Sequence, residues 1–135
     1  MATHNYVLTD PPSDQRAREL WLQHGAGFII FQDIRRYAID AIPATYGPAQ
    51  REAAMKGIDD AVYGLMMVID GVTGGLSNDK HRLSLQTNVR LETLDGSRLV
   101  QELDLFQGDG MCMGYHGWKQ DDFGRLRPAI PKDPR

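Results

Sequence analysis

Residues 61–92, AVYGLMMVIDGVTGGLSNDKHRLSLQTNVRLE, change their apolar period from 3.6 to 2 across a run of glycines, and that change decides the fold class. Upstream of the change, Gly47-Pro48 opens a helix that Gly71 ends, since proline suits a first turn and glycine the residue past the last. Ala54, Ile58, Ala61, Leu65 and Ile69 form its apolar stripe, and Glu52 and Lys56 form an i,i+4 pair of the favoured orientation. Between 61 and 69 almost every face is apolar, which predicts a central helix that is the most buried element of the chain.

Downstream, residues 81–92 alternate. Leu83, Leu85, Val89 and Leu91 point one way and Arg82, Ser84, Asn88 and Arg90 the other, the pattern of one half-buried strand. Asp95-Gly96 is a two-residue hairpin turn, and the return strand spans 97–106 with Leu99, Leu103 and Leu105 on one face. A lone hairpin is marginal in water, so residues 6–9 (Tyr-Val-Leu-Thr) are the candidate third strand.

Two more helices precede the central one. The first starts at Ser13, which caps it, buries Leu20 and Trp21 with Ala17 on the same side, and stops at Gly25, placing His24 in a last turn that favours a cation. The second, 28–42, repeats Phe28, Phe31, Ile34, Ala38 and Ile42 and ends at Pro43. The predicted class is α+β: three N-terminal helices with a central buried helix, then an antiparallel hairpin and a glycine-rich loop. Residues 1–12 read as an arm or edge strand, 13–124 as a single domain, and 125–135 as an extended proline- and arginine-containing tail.

The whole chain of 135 residues, 15.1 kDa, suits one domain. A folded monomer of that mass exposes about 7,100 Å². With 15 basic and 18 acidic residues the net charge is −3, which offers no electrostatic footprint for nucleic acid. No apolar run approaches membrane-spanning length, and no basic-then-apolar leader stands at the N-terminus, so a cytoplasmic protein without membrane contact is expected. The single cysteine, Cys112, excludes an internal disulfide.

Two segments carry the candidate chemistry. In 70–79 (DGVTGGLSND), Asp70 sits at the negative end of a helix, where turn amides or Arg90 should compensate it. This loop has neither an EF-hand's ligand spacing nor the strand-to-helix context of a phosphate loop. In 108–118 (GDGMCMGYHGW), four glycines separate two methionines, Tyr115 and Trp118, which reads as a structured loop anchored by apolar side chains. Cys112 as nucleophile, His116 as base and Asp109 or Asp70 as orienting group form a possible catalytic set. Cys112 and His116 with His81 or Asp79 form a possible metal set, although no paired ligand motif accompanies them. Asp59 and Asp60 are adjacent on a helix, diverge, and read as solvated.

No complete catalytic set emerges, so no cofactor or metal is expected, and the reading favours a non-catalytic protein-binding module. Its surface would combine both loops through Asp70, Asn78, Asp79, Asp109, Tyr115, His116 and Trp118. Acidic groups around aromatic anchors suit a basic protein partner. An open hairpin edge adds a possible homodimer. The alternative is a small-molecule enzyme or metal-binding protein with a site formed by Asp70, Asp109, Cys112 and His116. In size, charge and loop composition the chain resembles the small acidic single domains that bacteria encode as immunity proteins against secreted toxins. That resemblance attaches to no particular residue and implies only a protein-binding role.

Overall fold

The computed structural model describes residues 2–133. Strand β1 (Tyr6–Leu8) leads to helix α1 (Gln15–Ile30), which runs through a π-helical turn (Phe31–Arg35) into α2 (Arg36–Asp40). Helix α3 (Pro48–Ile69) follows, then strands β2 (Gly75–Ser77), β3 (Arg82–Ser84), β4 (Asn88–Glu92) and β5 (Leu99–Asp104), helix α4 (Met111–Lys119) and strand β6 (Ala129–Pro131). The class is α+β, with three antiparallel two-stranded sheets: β1-β6, β2-β3 and β4-β5.

The first two expected helices are one continuous rod. Asp14, not Ser13, caps it by accepting the Ala17 N–H at 2.9 Å. Gly25 does not stop it, and a second small residue, Gly27, has a packing role against α4. A Cβ on Gly27 would stand 2.6 Å from the Trp118 ring of α4, and one on Gly114 would stand 2.4 Å from the same ring. The indole lies in a slot that glycine opens on both helices. His24 is therefore in mid-helix and not in a last turn.

Leu20 is exposed and Trp21 and Leu22 are buried, so the inward face is one residue further round than expected. After the π turn the counting slips again, because an extra residue per turn rotates everything downstream. Ile39 is buried, whereas Ile34 is exposed and Ile42 half-buried.

α3 has the expected bounds, but it is not the most buried element. Val62, Met66 and Ile69 are buried, Ile58 and Leu65 are half-buried, and Ala61 is exposed. The rod of α1 and the π turn holds more of the core, with Trp21, Leu22, Gln23, Ala26, Gly27, Phe28 and Phe31 all buried. An all-apolar segment cannot by itself say which of its faces is covered. Phe31 makes edge contacts with the rings of Tyr115, Trp118 and Phe123 at centroid distances of 5.7–6.3 Å, Phe28 meets Phe123 at 5.1 Å, and Trp118 stacks on Phe123 at 6.2 Å.

The single long strand expected over 81–92 is two strands. β3 pairs with β2, and after a break at 85–87 β4 pairs with β5. The Asp95-Gly96 turn is present, with Gly96 at φ 76°. Backbone and hydroxyl bonds from Ser97, then a bond from Thr93, hold the Asp95 carboxyl down to about 2. Residues 6–8 do not join that hairpin. They pair with β6, and the Thr9 N–H donates to the Pro128 carbonyl at 2.9 Å, so the two ends of the chain clasp each other. The expected glycine-rich loop is largely helix α4, because Met111, Tyr115 and Trp118 recur at helical spacing and bury one face.

Candidate functional site

Asp70 caps the last turn of α3, but its carboxylate serves the first turn of α4. Oδ1 accepts the Met111 N–H at 2.6 Å and Oδ2 the Cys112 N–H at 2.8 Å. The charge that opposes one helix dipole is thereby placed at the favourable end of another. The expected partners, amides of its own turn or Arg90, are not the ones used: Arg90 pairs with Glu92 at 3.2 Å.

Asp109 is held on α1 instead. Its carboxylate accepts from Arg16 Nη2 at 2.7 Å, and its own N–H donates to the buried Gln23 Oε1 at 2.9 Å. Arg16 keeps the Asp109 carboxyl below the usual carboxylate range. A Cβ on Gly108 would meet the Gln23 amide carbon at 2.7 Å, so glycine is what lets this loop approach α1.

Tyr115 and Trp118 are buried. Tyr115 donates its hydroxyl proton to the Asp59 carbonyl at 3.2 Å, and Trp118 Nε1 donates to His24 Nδ1 at 2.9 Å. The two aromatic anchors expected on a binding surface are core residues, 4% and 3% exposed, and offer a partner little contact area.

The Trp118 bond needs a neutral His24. Burial pushes the His24 pKa below its usual value of 6.5, against the smaller upward pull of Asp122 and Asp109. The unfolded chain therefore takes up a proton more readily than the folded one. Folding stability should fall as pH drops below 6.5, and stop falling only once the folded imidazole is also protonated. His24→Gln keeps an acceptor for Trp118 and removes the titration, so its thermal midpoint should change less than the wild type's between pH 7.5 and 5.5. Equal pH dependence in the two proteins would contradict this role.

Cys112 and His116 lie one turn apart on α4, the first half-buried and the second exposed. Burial, followed by the neighbouring Asp70 carboxylate, pushes the Cys112 thiol up. A nucleophilic cysteine needs the opposite shift. With Asp109 engaged by Arg16 and Gln23, and Asp70 by the α4 amides, neither carboxylate is left to orient His116. Among the described residues, no three His, Cys, Asp or Glu side chains gather to hold a metal ion.

His116 stands on the rim of an open groove of 1070 Å³ between α3 and α4. Asp59, expected to be solvated, is mostly buried there and pairs with Arg35 Nε at 2.6 Å and Lys119 Nζ at 3.5 Å. Burial alone would raise its pKa, but Arg35 and then Lys119 outweigh it and hold the carboxyl low. Two cations thus hold this carboxylate in its charged form, which works against its serving as a proton donor.

Asn78 and Asp79 occupy the turn between β2 and β3. Asn78 Oδ1 accepts the N–H groups of Lys80 and His81 at 2.9 and 2.8 Å. Of the first loop's expected binding residues, Asp70 alone bonds to the second loop; the bonds of Asn78 stay inside its own turn.

The feature not expected from the sequence is the β2-β3 hairpin, exposed at every residue and with two unlike faces. Leu76 lies directly opposite Leu83, and Leu85 continues the alternation two residues on, with its N–H bonded to the Gly74 carbonyl at 3.1 Å. These three leucines are 72%, 67% and 65% exposed. The other face carries Gly75, Ser77, Arg82 and Ser84. In β4-β5, by contrast, Val89 and Leu103 pack against the core. The sequence carries the signal, because Leu83 and Leu85 show the alternation of a half-buried strand, but it does not say what lies against them.

No protein-family model, curated protein or solved structure matches this chain.

Proposed function

We propose that the chain is a non-catalytic protein-binding module whose contact surface is the leucine face of the β2-β3 hairpin. One observation carries the reading: a sheet patterned apolar on one side and polar on the other has its apolar side uncovered. Alternation of this kind specifies a face to be buried, and a contiguous apolar patch ringed by polar groups marks an interaction surface. The dispersal of Asp70, Asp109 and Asp59 into structural bonds favours binding over catalysis. The surface differs from the expected acidic-aromatic one, so contact energy would come from leucines and not from Tyr115 or Trp118. A cytoplasmic setting suits the unpaired Cys112 thiol, since reducing compartments keep thiols free.

The test is photo-crosslinking in intact cells. A benzophenone amino acid at Leu83 should capture protein, and the same group at Ser84 on the polar face should not. No capture at Leu83 above the Ser84 background would overturn the reading.

A further inference from the structure

We infer that the β2-β3 leucine face is covered by a second copy of this chain, so that the working form is a homodimer. This inference rests on the protein-binding reading and names its partner.

The chain exposes 9308 Å², about 2,200 Å² more than the ~7,100 Å² expected for a monomer of its mass. An obligate homodimer removes roughly 1,000–2,500 Å² from each subunit. The excess is summed over the whole chain; it is of the order that a self-interface removes, and residues 71–86, exposed throughout, contribute to it.

Leu76, Leu83 and Leu85 sit on a two-stranded sheet, which is marginal by itself in water. In a free chain this face would be an aggregation hazard throughout the protein's lifetime. A second copy is made with the first in matching amount, so it covers the face without depending on the supply of another protein.

A two-fold contact sets a patch against itself, so a patch of one sign repels its own copy. Here the facing side chains are uncharged leucines, and the turn carries Asp79 beside Lys80, both signs together. Two such sheets stack face to face about 10 Å apart with their side chains interleaved.

Light scattering after size-exclusion chromatography tests the inference on the full chain. Wild type at about 100 µM should give twice 15.1 kDa. Leu83→Glu should give the monomer mass, with association weakened about a hundredfold, because it buries an unpaired charge in the contact. Ser84→Glu on the polar face should remain dimeric. Far-UV circular dichroism confirms that each variant is folded; if Leu83→Glu is not, the benzophenone variant at Leu83 decides, by giving an adduct of twice the chain mass.

Wild type at 15.1 kDa, or a dimer that survives Leu83→Glu, would overturn the inference. Capture of a different protein at Leu83 with no self-adduct would also overturn it, while leaving the binding reading in place. Absence of any adduct would defeat both.

Discussion

Gly27→Ala should destabilise the protein by about 3 kcal/mol, although alanine is the better helix former by about 1 kcal/mol. The new methyl would stand 2.6 Å from three atoms of the Trp118 ring. That ring cannot yield, because Phe123 stacks on it, Phe31 meets its edge, and its N–H is bonded to His24. Gly57 supplies the contrast: it lies in α3 with nothing within 4 Å of its would-be Cβ. Gly57→Ala should stabilise by about 0.5–1 kcal/mol through the intrinsic preference alone. Urea unfolding of both variants checks the pair of opposite signs. If Gly27→Ala were as stable as wild type, α1 and α4 would not meet through Trp118 in this way.

Asp70→Ala should cost about 2 kcal/mol, at the upper end of a helix cap's worth, because two amides of α4 lose a charged acceptor together. The damage spreads because α4 carries three core residues, Met111, Tyr115 and Trp118. Asp70→Asn should lose only part of this, since its amide oxygen still accepts one bond. Were Asp70 a ligand-binding carboxylate instead of a cap, Asp70→Ala would leave stability unchanged or raise it by removing a charge from the wrong end of α3. Equilibrium unfolding of the two variants distinguishes these outcomes.

Much of the fold was legible in local chemistry. The bounds of α3 follow from Gly47-Pro48 at one end and Gly71 at the other, and the β4-β5 turn from Asp95-Gly96, because these signals act over a few residues. What was not legible depended on partners distant in sequence. Gly25 looks like a helix stop until Trp118 is seen to need the space left by Gly27, two residues further along the same helix. Asp70 looks uncompensated until the α4 amides, 41 residues away, are found bonded to it. The π turn hides from periodicity because it alters the period itself.

The candidate site was misread for a related reason. Asp109, Tyr115 and Trp118 were singled out as chemistry-bearing residues in a glycine-rich stretch. The glycines at 108 and 114 serve close packing against Gln23 and Trp118, and the polar groups between them are structural bonds. Conversely, the alternation of Leu83 and Leu85 specifies that a face is buried, not what buries it. Only the folded chain shows that its own helices do not cover that face.

The central claim is that another protein surface covers the leucine face of β2-β3, and crosslinking yield at Leu83 relative to Ser84 measures it most directly. The two positions are neighbours on one strand that point to opposite sides of the sheet, so a difference between them reports the covered face and not the general mobility of the hairpin. Protein adducts should form at Leu83 in intact cells, with background labelling at Ser84. Background labelling at both positions would contradict it.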